Sequence, residues 1–244
     1  MEETRIHKFL ADAGVMSRRA AEEAIKRGEV KVNGERATVG MKIDPLEDKV
    51  EYKGSVIKPK TGRCEYYILN KPVGYVTTMS DEKGRPCIKD LISEIETRVY
   101  PVGRLDYDSE GLILLTNDGV MTERLTHPRH SIAKYYNVTV KGQVTMEQRK
   151  ALGKAMDIDG YTIMPVKNTV VSMKEDKTVL GMELYEGRNR QIRKMCEKVG
   201  LEVLKLRRIA IGKIELGNLK LGRFKKLNGA QIEYLKTVCK MKDR

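Results

Sequence analysis

The sequence predicts an α+β protein with a small N-terminal module followed by a larger domain. Apolar residues recur at helical spacing in some segments and alternate as in strands in others, and glycine-rich turn signals separate these segments. A polar, turn-rich stretch at 58–62 marks a linker between two parts of the chain. We therefore expect domains over 1–60 and 65–244, joined by 61–64. A length of 244 residues, 40% of them hydrophobic, is enough for one or two packed cores.

Two helices open the N-terminal module. Apolar residues at helical spacing predict the first helix over 4–13, and Gly14 ends it. Ser17 is expected to cap the second helix, which carries Arg18 and Arg19 in its first turn. Because positive charges there oppose the helix dipole, local stability does not explain the two arginines. A phosphate group bound at this helix end would explain them, and two solvated arginines are the alternative.

Two hairpins complete the module. Residues 29–32 alternate as a strand, and the Asn-Gly pair at 33–34 is a strong signal for a tight hairpin turn. A second hairpin is predicted over 49–57, with its turn at the Lys-Gly pair of 53–54.

The larger domain reads as a mixture of strands and helices. Strands are predicted at 65–69, 179–185 and 203–209. Helices are predicted at 145–156, where Thr145 and Gln148 form a capping box, at 188–199, and after a capping Asn228.

Three carboxylates stand just before an apolar strand in the middle of the chain. Asp106, Asp108 and Glu110 occupy alternate positions ahead of the apolar run 111–115. Their spacing matches the first half of a calcium-binding EF-hand loop. A calcium loop needs a glutamate at its twelfth position and a helix after it, whereas this chain has Asn117 and a strand. Calcium is therefore disfavoured, and a polar turn is the plain structural alternative for Asp108 and Glu110.

The positive charge is concentrated at the C-terminal end. Residues 187–244 hold 17 Lys and Arg against 5 Asp and Glu, so they carry +12 of the total net charge of +13. A cationic surface of this kind attracts a polyanion and makes binding fall steeply with salt. We therefore expect the partner to be a nucleic acid, and a solvated basic surface is the alternative.

Several other classes of protein are disfavoured. No apolar run approaches the ~20 residues of a membrane span, and the acidic N-terminus is unlike a signal peptide. We therefore expect a cytoplasmic protein with no membrane partner. The four cysteines lie far apart, without the paired spacing of zinc or redox sites, so we expect reduced and mostly packed thiols.

Four ordered motifs resemble those of the RsuA/RluB family of pseudouridine synthases. They are Asn-Lys-Pro-x-Gly at 70–74, Gly-Arg-Leu-Asp at 103–106 with the downstream 111–119, Lys-x-Tyr-x-Val at 134–138, and Glu-Gly-Arg-Asn-Arg-Gln-Ile-Arg at 186–193. Residues 4–60 resemble the alpha-L RNA-binding module named after ribosomal protein S-four. The resemblance covers nearly the whole chain. It implies a mixed, largely antiparallel sheet flanked by helices, with the active cleft across its middle.

The resemblance also implies an activity and a set of site residues. The expected reaction isomerises a uridine in folded RNA to pseudouridine after the nucleotide has been flipped out. Asp106 would be the nucleophile, Tyr136 would stack on the flipped base and serve in proton transfer, and Arg193 would pair with Asp106 and lower its pKa. No cofactor or metal is needed, because the reaction is a net isomerisation. The expected RNA contacts are Arg104, Arg18, Arg19, Arg188, Arg190, Lys194, Lys205, Arg207 and Arg208.

The expected substrate is large-subunit ribosomal RNA, as free RNA or in an assembly intermediate, acted on by a monomer. Residues 142–144 and 186–190 look more like the large-subunit branch of the family. A small-subunit target and a non-catalytic ribosome-assembly protein are the alternatives. DNA binding is disfavoured because the sequence contains neither a helix-turn-helix nor a basic zipper.

Overall fold

The computed structural model describes residues 3–59, 62–127 and 132–241. The chain forms two compact units, and the main boundary between them falls between Cys64 and Glu65.

The N-terminal unit contains two helices and short antiparallel strands. Its elements are β1 (Thr4–Arg5), α1 (Ile6–Asp12), α2 (Arg18–Lys26), β2 (Val30–Val32), β3 (Glu35–Arg36), β4 (Lys42–Ile43), β5 (Val50–Tyr52) and β6 (Ser55–Ile57). Strand β1 pairs with β4, and the other four strands form a sheet in the order β3-β2-β5-β6.

Local signals in the N-terminal unit act as predicted. The Ser17 hydroxyl accepts a hydrogen bond from the backbone N–H of Ala20 at 3.1 Å, which caps α2. Asn33 and Gly34 have φ values of 50° and 90°, the left-handed conformation that a two-residue hairpin turn between β2 and β3 requires. Both helices contribute buried apolar residues to a single core, including Phe9 and Ile25.

Besides one short 3-10 helix (Ile88–Leu91), the second unit holds fifteen α-helices and strands in its described residues. They are β7 (Tyr66–Lys71), β8 (Tyr100–Val102), β9 (Glu110–Thr116), α3 (Gly119–Thr126), β10 (Lys134–Lys141), α4 (Met146–Leu152), β11 (Met156–Ile158), β12 (Tyr161–Ile163), β13 (Lys167–Met173), β14 (Lys177–Leu184), α5 (Gln191–Lys198), β15 (Val203–Ile211), β16 (Ile214–Glu215), β17 (Phe224–Lys226) and α6 (Gly229–Val238).

A nine-stranded mixed sheet forms the centre of this unit. Its strands run in the order β13-β14-β10-β15-β9-β7-β17, with β16 beside β15 and β8 beside β9. Only the short β15–β9 contact is parallel among the described pairs. The predicted α+β class with a mixed, largely antiparallel sheet is therefore confirmed.

The sheet has an apolar core on each face. Successive residues of β9 alternate between these cores: Ile113 packs in one and Leu112 and Leu114 in the other. Helix α5 covers the first face, and α3 and α6 cover the second. Both faces of β9 are covered, and all seven of its residues are buried.

Gly111 lies where β9 meets β15. Its φ is +111°, and it pairs with Arg208 in the parallel register. A Cβ atom at this position would lie 2.7 Å from the backbone nitrogen of Arg208, closer than packed atoms approach. The crossing of these two central strands therefore requires glycine.

Two sequence expectations about this unit need correction. Helix α4 ends at Leu152, and the predicted extension to residue 156 instead begins the hairpin of β11 and β12. The Asp-Gly pair at 159–160, with φ values of 54° and 73°, was the signal for that missed hairpin. Helix α5 begins at Gln191 rather than at residue 188, because its N-cap Arg190 has a left-handed φ of 50°.

Other local predictions agree with the structure. Capping boxes begin α4 at Thr145 and α6 at Asn228. All four cysteines are thiols outside disulfide bonds, and three of them are buried. The predicted loop at 127–130 lies mostly outside the described residues. No described helix has the length and apolar character needed to cross a membrane.

Candidate active site

A cleft of about 630 Å³ in the second unit brings together residues from three of the sequence motifs. Six predicted site residues line it: Arg104, Asp106, Tyr136, Arg188, Arg190 and Arg208. A second hollow of about 770 Å³ contains none of the three motif carboxylates. The cleft is therefore the candidate active site. Within the described part of the chain, no cluster of His, Cys, Asp or Glu is arranged to hold a metal ion.

The loop that carries Asp106 is tethered at both ends. The Ser109 N–H donates to the Asp106 carbonyl at 3.1 Å and closes a turn. The Thr77 hydroxyl donates to the Leu105 carbonyl at 2.6 Å and accepts from the Leu105 N–H at 3.2 Å. The Gly74 N–H donates to the Tyr107 carbonyl at 2.9 Å. These bonds fix the backbone on each side of Asp106.

Lys71 supports this tether from the motif at 70–74. Its side chain is fully buried and donates to the carbonyls of Pro72 at 2.9 Å and Tyr75 at 2.8 Å. Burial lowers the pKa of Lys71 to about 8, although the negative charges of the three motif carboxylates act in the opposite direction. The sequence of the motif at 70–74 indicates only a turn, because of its proline and glycine. The structure shows a buried ammonium group that holds the loop closed.

Thr77 was missed by sequence reasoning. The available signal was its position three residues after the Asn-Lys-Pro-x-Gly motif, and nothing else in the sequence distinguishes this threonine from others in loops. Its contact with Leu105 spans 28 positions of the chain, so it emerges only when β7 and β9 have paired.

Arg193 does not pair with Asp106 as the sequence analysis expected. Its Nε lies 3.3 Å from the Asp108 carboxylate, and its Nη2 donates to the Asp108 carbonyl at 2.8 Å. No cation lies within ion-pair distance of Asp106 among the described residues. The turn closed by Ser109 explains the difference, because it directs Asp108 rather than Asp106 toward α5.

Asp108 is held by two arginines. Both terminal nitrogens of Arg190 donate to its carboxylate oxygens, at 3.0 and 2.8 Å, in addition to the contacts from Arg193. Burial acts to raise the pKa of Asp108, but the Arg190 hydrogen bonds and the charges of both arginines outweigh burial and lower it. The pair Arg190 and Arg193 therefore ties the Asp106 loop to the start of α5.

Tyr136 lies deep in the cleft. It is 9% exposed, on β10, and its register partner on β15 is Arg208. Side chains of directly opposed residues share one face of a sheet. Arg208 therefore lies beside Tyr136 and is only 3% exposed. Arg208, predicted as an RNA contact, therefore lies inside the cleft rather than on the outer surface, since strand β15 turns its side chain inward.

The remaining predicted RNA contacts are distributed over the surface. Arg188 stacks over the ring of Tyr161, with 3.5 Å from its guanidinium carbon to the ring centroid. Lys205 and Arg207 lie 3.1 and 3.6 Å from the Glu110 carboxylate and do not line the cleft. Lys194 pairs with Asp159 outside the cleft.

Arg18 and Arg19 are exposed in the first turn of α2, in the N-terminal unit. The structure thus places them at the helix end where the sequence analysis expected a phosphate.

Comparison with known proteins identifies the family. The family model described as RNA pseudouridylate synthase matches residues 65–198, and the S4 domain matches residues 4–50. The chain belongs to the RNA pseudouridine synthase family. It is therefore an isomerase that acts on RNA, and the resemblance inferred from the four motifs is confirmed.

Individual relatives agree over nearly the full chain. An uncharacterized RNA pseudouridine synthase of Aquifex aeolicus is 41% identical, covering 96% of this chain and 94% of the relative. The protein named ribosomal large subunit pseudouridine synthase B of Bacillus subtilis is 38% identical, with 96% of each chain covered. A crystal structure of a pseudouridylate synthase has a TM-score of 0.69 and 30% identity, covering 95% of this synthase and 99% of that chain. The predicted order, an S4-type module before a synthase domain, is confirmed.

We expect Thr77→Val to lower kcat of the synthase while leaving KM within about twofold. Valine keeps the shape but removes the hydroxyl, which leaves the Leu105 N–H and carbonyl unsatisfied and loosens the backbone before Asp106. Misalignment of a reacting group by about 1 Å can cost on the order of 100-fold in rate. Thr77→Ser, which keeps the hydroxyl, is the control and should stay close to wild type in single-turnover assays. An unchanged kcat in Thr77→Val would show that this tether does not position the loop.

Proposed function

We propose that this synthase isomerises a specific uridine of large-subunit ribosomal RNA to pseudouridine, with Asp106 as the nucleophile. The observation that carries the proposal is the tethered Asp106 loop inside a cleft that also presents Tyr136. A carboxylate held on a fixed backbone, in the same cleft as an aromatic side chain, suits a reaction in which a planar base is detached, turned and rejoined.

The reaction needs no net gain or loss of atoms. The bond from C1′ of the ribose to N1 of uracil breaks, the base turns, and a bond from C1′ to C5 forms. The proton on C5 leaves and N1 gains one, so the product is an isomer of the substrate. The Asp106 carboxylate would attack either the ribose or the base and hold one fragment covalently while the other turns, and its bond to that fragment would break again to release the product and the free carboxylate.

Tyr136 is the proposed platform for the base. Its buried ring can stack on uracil, and its phenol would take part in the transfer of the C5 proton. A base stacked in a helix cannot reach a ring that is 9% exposed, so the nucleotide must be flipped out. Arg104 is exposed and two residues before Asp106, where it can occupy the space that the flipped base leaves.

Arg193 contributes through Asp108 rather than by touching Asp106. With Arg190 it fixes the far end of the loop, so we assign it a positioning role in the reaction. This role agrees with the sequence expectation that Arg193 matters for catalysis, but it acts on a different carboxylate.

The basic surface is the proposed means of holding the RNA. Arg188 is exposed at the cleft, and the net charge of +12 in residues 187–244 favours a polyanion. Arg18 and Arg19 would contact phosphates through the S4 domain. We expect a cytoplasmic monomer that acts on free ribosomal RNA or on an assembly intermediate.

The large-subunit assignment rests on the name of the Bacillus subtilis relative and on the sequence at 142–144 and 186–190. Pseudouridine mapping of ribosomal RNA from cells that lack this protein tests it. We expect loss of one or a few pseudouridines from the large-subunit RNA, restored by the wild-type gene. Loss from the small-subunit RNA alone would overturn the assignment. An unchanged map would instead favour a non-catalytic assembly role.

A further inference from the structure

Arg208 is a buried cation with an unused donor. Its Nε donates to the Leu112 carbonyl at 2.7 Å, whereas its Nη2 is buried and has no hydrogen-bond partner in the described structure. Leaving a charged donor unsatisfied in a dry site is costly. A ligand that enters the cleft, which Arg208 lines, would remove this cost.

Lys134 brings a second positive charge to the same cleft. Its Nζ has one described hydrogen bond, a long one of 3.3 Å to the Ile132 carbonyl. Burial lowers the pKa of Lys134, and the charge of Arg208 lowers it further, so the two cations are close enough to repel. Among the described residues, neither forms an ion pair within 4.0 Å.

The cleft's other carboxylates do not neutralise this pair. Glu186 accepts hydrogen bonds from the Gln191 side chain at 2.9 Å and from the Met164 N–H at 3.0 Å. Asp106 is the proposed nucleophile. Among the described residues, neither carboxylate forms an ion pair with Lys134 or Arg208, so two cations line the cleft without an ion-pair partner.

The two cations flank the proposed base platform. Arg208 is the register partner of Tyr136 on the neighbouring strand, and Lys134 precedes Tyr136 by two positions on its own strand. A nucleotide whose base stacks on Tyr136 carries its phosphate on the adjoining ribose, a few ångströms away.

We propose that Lys134 and Arg208 form a binding site for one phosphate group of the nucleotide held in the cleft. The site supplies a planar guanidinium donor and an ammonium group, which together match the charge and the acceptor oxygens of a phosphodiester. This assignment rests on the proposed function, because it assumes that the cleft holds a ribonucleotide of the RNA substrate.

The test compares binding of uridine 5′-monophosphate and uridine to the full-length protein by NMR titration. We expect wild type to bind the monophosphate about tenfold more tightly than uridine, since a charge-assisted contact contributes about this factor. Lys134→Met should remove most of this preference, and Lys134→Arg should retain it. Lys141→Met is the matched control: Lys141 lies at the other end of β10, exposed and paired with Glu202, and its loss should change nothing.

Arg208→Lys and Arg208→Gln extend the test where these variants fold, and the Lys134 series decides it if they do not. Equal binding of monophosphate and uridine by wild type, or a preference that survives Lys134→Met, would overturn the proposal. If Lys134→Met weakens the binding of the monophosphate and of uridine by the same factor, Lys134 and Arg208 contact the base or the sugar rather than the phosphate. That result would also overturn the proposal. Inorganic phosphate binding as tightly as the monophosphate would indicate a site for free phosphate rather than for a nucleotide.

The titration result and the proposed function can fail independently of each other. The proposed function fails if no pseudouridine is lost from large-subunit RNA in cells that lack the protein, whatever the titrations show. A phosphate preference that depends on Lys134 would then still stand as a property of the cleft.

Discussion

Asp106→Asn is expected to abolish pseudouridine formation, lowering the single-turnover rate by at least about four orders of magnitude. Asparagine fills the same volume and accepts hydrogen bonds, but it cannot form the covalent adduct with the ribose or the base. The loop should keep its shape, because its tethers through Thr77 and Gly74 use backbone atoms rather than the Asp106 side chain. The measurement is conversion of uridine in a large-subunit RNA transcript with enzyme in excess.

RNA affinity separates this effect from a loss of binding. Removing one carboxylate from a cleft that receives RNA does not remove an attractive contact, so the Kd should remain within about twofold of wild type. A non-catalytic RNA-binding protein would show the same affinity but no conversion in the wild type either.

Asp108→Asn is the matched control on the same loop. It removes the carboxylate that Arg190 and Arg193 hold, so it should loosen the loop and lower the rate by a smaller factor, while conversion still proceeds. If Asp106→Asn still converts uridine and Asp108→Asn does not, the nucleophile is Asp108, and the assignment to Asp106 is wrong by two residues.

Gly111→Ala is expected to have the largest effect on stability. The added Cβ would lie 2.7 Å from the Arg208 backbone nitrogen, at a φ of +111° that alanine rarely adopts. Strain and backbone overlap at a crossing of central strands should cost at least about 4 kcal/mol of unfolding free energy. For a chain of this size that corresponds to a fall in Tm of roughly 10 °C, or to insoluble protein.

Gly229→Ala provides the control for a glycine without such a constraint. Gly229 is the first residue of α6, and no atom lies within 4 Å of a Cβ added there. Alanine has the higher helix propensity, so its Tm should equal or exceed that of wild type. A Gly111→Ala protein that melts within about 2 °C of wild type would show that β9 and β15 are not packed as closely as described.

Much of the fold could be predicted because its signals are local. The Ser17 cap, the Asn33-Gly34 turn and the capping box at Thr145 each depend on residues within four positions of one another. Short-range hydrogen bonds and backbone preferences dictate such features whatever the rest of the chain does. The α+β class followed from adding these signals together.

Element boundaries were less predictable. Helical spacing from 188 onward suggested that α5 begins there, but Arg190 takes a left-handed conformation that delays the helix to Gln191. The bidentate bond from Arg190 to Asp108, 82 positions away, accompanies this turn. The tertiary fold brings Asp108 to Arg190, and the sequence around residue 190 gives no signal of this contact.

The sequence by itself determined the family, the fold class and the candidate nucleophile, because each is encoded in short motifs whose order along the chain is specific. Only the tertiary structure decided the partners of those residues. It paired Arg193 with Asp108 and placed Arg208, predicted as an RNA contact, inside the cleft. The physical reason is that ion pairs and burial depend on strand order and on the direction of single turns. Both are set by packing between segments that lie about a hundred residues apart.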